Sequence, residues 1–227
     1  MSGLVVGFDL DMTLIDSRPG IAACYRALTE ETGVYVDADL AVSRLGPPLR
    51  TEIAAWFAPD QVDAAVAAYR RLYPAHAVAC SPALPGAADA VAAVRAAGGR
   101  VVVVTAKVER LARLHLDHLG IAVDAVAGDR FARGKTEALL EHGVSVYVGD
   151  HVADMRAACA AGVTAVGVPT GPCTVDDLVG AGADVVLDDL REFPAWLSES
   201  GYRRAFDTAA LALPVNPSTG EPGSPRA

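Results

Sequence analysis

The chain has 227 residues, of which 52% are hydrophobic, so it can bury a large core and is not disordered overall. Its formal net charge of -9 argues against a nucleic-acid partner, because nucleic-acid binding takes much of its affinity from basic side chains that face phosphates. No segment has the pattern of a cleavable leader or enough apolar length to cross a bilayer, and the four cysteines lack zinc-site or redox spacing. We therefore expect no membrane partner and a reducing, cytoplasmic location.

Short, β-branched apolar runs predict the buried strands of a parallel sheet. These runs are Leu4 to Phe8, Val101 to Val104, Val123 to Val126, Val144 to Val148, Thr164 to Val168 and Asp184 to Leu187. From Val101 onward they alternate with helical segments at Val108 to Leu119, Lys135 to His142, Asp154 to Ala161 and Val175 to Val179. Alternation of this kind is typical of βαβ units, so we predict an α/β fold built on a parallel sheet.

The first two runs are separated by roughly ninety residues, where a crossover helix needs only about a dozen. Helix-forming segments occupy this interval, at Arg18 to Thr32, Pro48 to Phe57 and Pro59 to Tyr73, before a core helix at Ala87 to Ala97. We therefore predict an inserted α-helical cap over residues 17–83 and a core made of residues 1–16 and 84–200.

The last segment, residues 214–227, is rich in Pro, Ser and Gly and has no apolar periodicity. Such a composition cannot repay the entropy lost on ordering, so we predict a disordered tail.

Polar residues follow three of the predicted strands. Asp9 and Asp11 follow the first run, Thr105 follows the second, and Asp150 with Asp154 follows the fourth. Ligands of open parallel sheets bind beyond the carboxyl ends of the strands, so we expect these side chains to share one crevice. Clustered carboxylates repel one another unless a divalent cation neutralises them, and Mg²⁺ prefers such oxygen ligands. We predict a magnesium site that involves Asp9, Asp11, Asp150 and Asp154.

The same crevice has the groups that a phosphoryl transfer needs. If the chain stays extended after the first strand, Asp9, Asp11 and Thr13 project to one side. Asp9 can then attack phosphorus while Asp11 exchanges protons. Thr105, the backbone at Ala106 and the charge of Lys135 can hold the phosphoryl oxygens. The sequence contains only two lysines, and we assign no role to the other one, Lys107.

These motifs resemble those of the haloacid dehalogenase superfamily. The chain has Phe8-Asp9-Leu10-Asp11-Met12-Thr13, then Val104-Thr105-Ala106, Lys135, and Gly149-Asp150-His151-Val152-Ala153-Asp154. The predicted cap and the Gly46-Pro47-Pro48-Leu49 turn are similar to the phosphoglycolate phosphatase and β-phosphoglucomutase branch. The resemblance implies a Rossmann-like core, Mg²⁺, an Asp9 nucleophile and an Asp11 acid/base that act on a small phosphorylated metabolite. Met12 and Ala106 depart from the branch, which usually has Gly and Asn at these positions.

The sequence is compatible with more than one activity. Thr13 favours a phosphatase over a sugar-phosphate phosphotransferase or mutase, and a phosphoaccepting receiver domain combines similar residue types on a different topology. Arg44 and Arg50 flank the cap turn, where they could reach an anionic substrate. The sequence does not reveal the oligomeric state.

Overall fold

The computed structural model describes residues 3–201 and has a parallel, six-stranded sheet as its centre. The strands are β1 (Val5–Phe8), β2 (Arg100–Val104), β3 (Ala125–Ala127), β4 (Val146–Gly149), β5 (Thr164–Gly167) and β6 (Val185–Val186). Their order in the sheet is β3-β2-β1-β4-β5-β6. Strands β2 and β3 lie on one side of β1, and β4 to β6 lie on the other, so the strand order reverses between β1 and β4. Ligands of such sheets bind at this switch point.

Helices surround the sheet and fill the long insertion. They are α1 (Arg18–Thr32), α2 (Ala38–Ser43), α3 (Leu49–Ile53), α4 (Val62–His76), α5 (Ala87–Ala96), α6 (Glu109–His118), α7 (Arg133–Glu141), α8 (Val152–Ala161), α9 (Val175–Gly180) and α10 (Phe193–Glu199). Within residues 3–201, no helix combines the length and the apolar character needed to cross a membrane.

Both faces of the sheet are buried, because alternate residues along a strand belong to two different apolar clusters. In β2, for example, Val101 and Val103 join one cluster, and Val102 and Val104 join the other. The first cluster includes residues of α5 and α10, and the second includes residues of α7 and α8. The predicted α/β fold, a Rossmann-like parallel sheet with an inserted helical cap, is confirmed.

Helices α1 to α4 pack around a third apolar cluster, which also takes in Leu111 of α6. The chain leaves and re-enters the core at adjacent points, since the Asp16 amide donates to the Pro82 carbonyl and the Leu84 amide to the Leu14 carbonyl. We call residues 17–83 the cap. Its limits at 16/17 and 83/84 stay predictions.

The sequence predictions differ from the structure in several elements. The predicted helix Pro48 to Phe57 was too long, because only Leu49–Ile53 is helical and the chain then turns, with the Trp56 and Phe57 amides bonded to the Ile53 carbonyl. Helices α2 and α10 were missed, since six or seven residues carry too little periodicity to identify. The predicted tail 214–227 lies outside the described residues.

Candidate active site

Three buried carboxylates meet where β1 and β4 end. Each of Asp9, Asp150 and Asp154 offers an oxygen, and these oxygens all lie within 4.8 Å of one another. The Asp9 amide donates to the Val148 carbonyl at 2.8 Å, which fixes the two strand ends side by side. Asp154 belongs to the first turn of α8, where it accepts a hydrogen bond from the His151 amide.

The residue before Asp150 has to be small for this arrangement to form. A Cβ atom on Gly149 would lie 2.5 Å from the Cβ of Asp154, closer than packed side chains allow. Glycine at this strand end therefore lets the first turn of α8 approach the sheet and brings Asp154 up to Asp150.

Lys135 is the positive group beside these carboxylates. Its Nζ atom lies 2.5 Å from Asp154 Oδ1 and 3.0 Å from Asp9 Oδ1, and only 4% of the residue is exposed. Burial would lower the pKa of Lys135, but the charges of Asp154 and Asp9 outweigh it and raise that pKa well above its usual value. Lys135 therefore stays cationic, as the sequence analysis requires of a phosphate-binding lysine.

One lysine does not neutralise three carboxylates. Burial and the neighbouring charges of Asp154 and Asp11 raise the pKa of Asp9 to about 7, in spite of Lys135. Burial and the charges of Asp9 and Asp154 also raise the pKa of Asp150 well above its usual value. Asp9 Oδ1 is buried and forms an ion pair with Lys135 Nζ at 3.0 Å, but it accepts no well-aligned hydrogen bond from the described residues. An all-oxygen site with one such oxygen and excess negative charge fits a divalent cation.

Asp11 was also predicted in the metal site, but its carboxylate lies outside this group. The chain does not stay extended after β1, because the Leu14 and Ile15 amides both donate to the Leu10 carbonyl and Met12 has a φ of 59°. Asp11 Oδ1 instead accepts a hydrogen bond from Lys107 Nζ at 2.6 Å. Thr13, which lies within the turn, still reaches the site and donates to Asp150 Oδ1 at 3.0 Å.

The Lys107 ammonium joins Asp11 to the cap. It also donates to the Tyr73 hydroxyl of α4 at 2.7 Å, and that hydroxyl lies 3.0 Å from Nε2 of His115 in α6. Burial opposes the ionisation of Asp11, but the charge and the hydrogen bond of Lys107 outweigh it and lower the pKa of Asp11. The two carboxylates of the first motif thus have opposite pKa shifts.

Thr105 and Ala106 lie where the sequence analysis expects them. Thr105 follows β2, is buried, and accepts a hydrogen bond from the Lys107 amide at its Oγ1 atom. Together with Asp9, Asp11 and Lys135, these two residues line a cavity of about 260 Å³ whose opposite wall is the cap. The predicted site residues other than Thr13 therefore face one cavity, which Asp150 and Asp154 also line.

The haloacid dehalogenase-like hydrolase family model matches residues 6–158, which include every one of these side chains. The chain belongs to this family. A second, HAD-hydrolase-like model matches residues 129–193. The match identifies the chain as an enzyme of the hydrolase class, and it excludes the receiver domain that the sequence analysis left open.

Named relatives of this hydrolase include phosphatases and a kinase. It is 34% identical over 233 residues to the phosphoglycolate phosphatase of Rhodospirillum rubrum, covering 90% of this chain and 96% of that protein. It is 33% identical over 207 residues to the tyrosine-protein kinase PtkA of Mycobacterium tuberculosis, covering 83% of this chain and 71% of that protein.

Solved structures share the fold of the hydrolase. A haloacid dehalogenase-like protein from Streptococcus pneumoniae has a TM-score of 0.74 at 24% identity, covering 86% of this chain and 98% of that one. A family hydrolase from Deinococcus radiodurans with bound phosphate and sodium has a TM-score of 0.64 at 25% identity, covering 88% and 97%.

The place of Lys107 in the hydrolase site was not found from the sequence, and the structure shows what the two departures at Met12 and Ala106 do. Lys107 received no role, yet it is buried against Asp11, and the only signal was its place two residues after Thr105. Met12 occupies a left-handed backbone conformation, which explains why glycine is usual there, and its side chain is buried and lines the cavity. Ala106, the other departure from the branch, contributes no polar side-chain atom to the cavity. At this position only the backbone is available to bind an anion.

Proposed function

We propose that this hydrolase is a Mg²⁺-dependent phosphatase that cleaves a small phosphorylated metabolite through an aspartyl-phosphate on Asp9. The observation that carries the proposal is the buried Asp9 carboxylate, which lines the cavity and whose Oδ1 atom is ion-paired with Lys135 but accepts no well-aligned hydrogen bond in the described structure. The phosphoglycolate phosphatase relative and the phosphate bound by the Deinococcus radiodurans hydrolase support the same chemistry.

Mg²⁺ would be held by Asp9, Asp150 and Asp154, whose oxygens converge and carry excess negative charge. The bound cation would offset that charge and the charge of the substrate phosphate. Lys135 stays cationic beside the nucleophile, while Thr105 and the backbone at Ala106 are available to the remaining phosphoryl oxygens.

The covalent chemistry belongs to Asp9 and Asp11. A carboxylate oxygen of Asp9 attacks phosphorus, the bond from phosphorus to the leaving oxygen breaks, and Asp11 gives that oxygen a proton. Water then attacks the phosphorus of the aspartyl-phosphate, Asp11 accepts the proton of the water, and the bond to Asp9 breaks. The first step needs protonated Asp11 and the second needs ionised Asp11, and Lys107 stabilises the ionised form.

A kinase among the relatives makes phosphoryl transfer to a hydroxyl the second candidate function. The first chemical step is the same, and only the acceptor of the second step differs. Counting phosphate released for each alcohol released separates them. Equal amounts indicate water as the acceptor, and a deficit of phosphate in the presence of an added alcohol indicates transfer.

The four cysteines are free in the structure, which supports the expected cytoplasmic location as a further proposal.

The central test is Asp9→Asn, which keeps the shape of the side chain and removes its nucleophilic charge. We expect the variant to lose at least about a thousandfold of the phosphate release from an aryl phosphate, with an unchanged circular dichroism spectrum. Chelation of Mg²⁺ should stop the wild-type reaction, and added Mg²⁺ should restore it. Wild-type activity in Asp9→Asn would contradict the mechanism.

A further inference from the structure

The cap wall of the cavity is largely apolar and aromatic. Its apolar part is formed by Ile21, Tyr25, Leu45, Leu49 and Tyr69, with Leu111 of α6 beside them. The rings of Tyr25 and Tyr69 pack at 4.8 Å between centroids, so they present one continuous surface. A leaving group that fills this space gains most by removing hydrocarbon from water.

The arginines of the cavity wall already have acidic partners. Arg44 pairs with Glu52, which also lines the cavity, and Arg50 pairs with Asp63. Arg70 lies 3.8 Å from Asp129.

The two lysines of the wall are likewise paired, with carboxylates of the catalytic site. A carboxylate on the leaving group would therefore have to share a cation that already has an acidic partner.

Two polar groups of this wall have no partner. Tyr25 and Tyr69 are 3% and 5% exposed, and within residues 3–201 neither hydroxyl makes a hydrogen bond. Neither oxygen is among the buried side-chain atoms without a partner, so each retains contact with open space. Since both residues line the cavity, their hydroxyls are available to a bound molecule.

We infer that the preferred substrate is a phosphate monoester whose leaving group is uncharged, bulky and mainly hydrocarbon, such as a ring, with one or two hydrogen-bonding atoms. The inference rests on the proposed phosphatase function and narrows its substrate class. Small phosphorylated acids such as phosphoglycolate are poor substrates under this inference, because their carboxylate faces an apolar wall whose cations are paired.

The test compares benzyl phosphate with 2-phosphoglycolate, using the full chain and Mg²⁺. Both are esters of primary alcohols, so differences in leaving-group reactivity are small. We expect kcat/KM for benzyl phosphate to be at least about tenfold higher, as expected for a well-fitted hydrocarbon group. An equal or higher value for phosphoglycolate would overturn the inference and leave the proposed function intact. Phosphate release from neither ester would overturn both.

The apolar wall itself is tested with Leu45→Ser. This change should lower kcat/KM for benzyl phosphate about fivefold to tenfold and change that for phosphoglycolate by less than about twofold. Leu40→Ser is the matched control, because Leu40 is 45% exposed in α2 and does not line the cavity. Equal losses for both esters in Leu45→Ser would contradict the assignment of this wall to the leaving group.

Product inhibition provides a second test of the inference, and this test requires no variant. Benzyl alcohol should inhibit the wild-type enzyme competitively at concentrations where glycolate has no effect. Stronger inhibition by glycolate would overturn the inference.

Discussion

Asp9 and Asp11 differ in their electrostatic surroundings although they are two residues apart. Burial and like charges raise the pKa of Asp9 to about 7, while Lys107 lowers that of Asp11. In the proposed mechanism Asp9 binds the cation, which neutralises its negative charge. Asp11 binds no cation and has to be ionised without one when it accepts a proton. Lys107 is therefore the positioning residue of the proposed base.

Replacement of Lys107 tests this role. In Lys107→Met the pKa of Asp11 should rise, since the ammonium that stabilises its ionised form is gone. The acidic limb of the kcat profile should then move to higher pH, with kcat at neutral pH reduced about tenfold or more. The measurement is a steady-state pH profile at saturating Mg²⁺.

Arg113→Met is the control, because it removes a positive charge from an exposed position of α6. Lys107→Arg should restore part of the wild-type profile. A Lys107→Met profile with lower kcat but an unmoved acidic limb would mean that Lys107 only supports the fold.

His115 predicts a pH dependence of stability. Burial, with the nearby charge of Lys107, lowers its pKa from 6.5 to about 4. The unfolded chain thus binds a proton that the folded chain does not, and stability falls as the pH drops from about 6.5 to 4. The loss is on the order of 3 kcal/mol at most. His115→Gln should flatten this slope in urea unfolding, and His76→Gln, at an exposed position of α4, should keep it.

Some of the residues of the candidate site could be predicted from the sequence. Asp9, Thr105, Lys135 and Asp150 were predicted because each follows a strand or begins a helix, which are local signals. The role of Lys107 depends on Tyr73, which approaches it from the cap across 34 positions of sequence. A contact between distant segments leaves no local pattern, so it had to come from the structure.

At the scale of elements, α1 and α4 hold the cap together through a close contact. Gly20 of α1 lies so near the end of α4 that a Cβ atom would be 2.3 Å from the Ala77 carbonyl oxygen. The Ser81 hydroxyl would lie at the same distance. A side chain here requires the two helices to separate.

Gly20→Ala should therefore lower the free energy of unfolding by about 1–3 kcal/mol, which is the usual cost of overpacking. Gly180→Ala is the matched control, since nothing lies within 4 Å of its added Cβ in α9. That variant should be neutral or up to about 1 kcal/mol more stable, because alanine favours helices. Urea denaturation measures both, and equal effects would contradict the close contact.

The sequence predicted which strands and helices exist better than it predicted where they begin and end. The six strands were predicted because each is an apolar, β-branched run, and helices such as α1 and α6 are long enough to show periodicity. Helix α4 begins three residues later than predicted and runs on through Pro74 to His76. Pro74 has no amide hydrogen to donate to the carbonyl four residues before it, yet the helix continues for two residues beyond it, so the proline marks no boundary.

At the scale of the whole molecule, three buried carboxylates beside one lysine cost stability unless a cation binds. Mg²⁺ that binds only the folded state should stabilise it by about 2.7 kcal/mol at a hundred times its Kd. Asp150→Asn removes one of the repelling charges, so the metal-free variant should melt at a higher temperature than the metal-free wild type. It should also lose most of the Mg²⁺-dependent shift.

Thermal unfolding with and without Mg²⁺ measures both effects. Asp117→Asn, at an exposed position of α6, should keep the wild-type response. An undiminished Mg²⁺ shift in Asp150→Asn would remove Asp150 from the predicted metal site.

The central place of β1 in the sheet has a consequence for biosynthesis. This strand is synthesised well before its partners, which begin only at Arg100 and Val146. The helices of the cap, by contrast, pack mostly against one another, although Leu111 of α6 also joins their cluster, and they are complete before either partner is made. Since domains fold as their contacts become available, we expect the cap to fold on the nascent chain while β1 waits. The wall that faces the leaving group would then exist before the catalytic carboxylates have met.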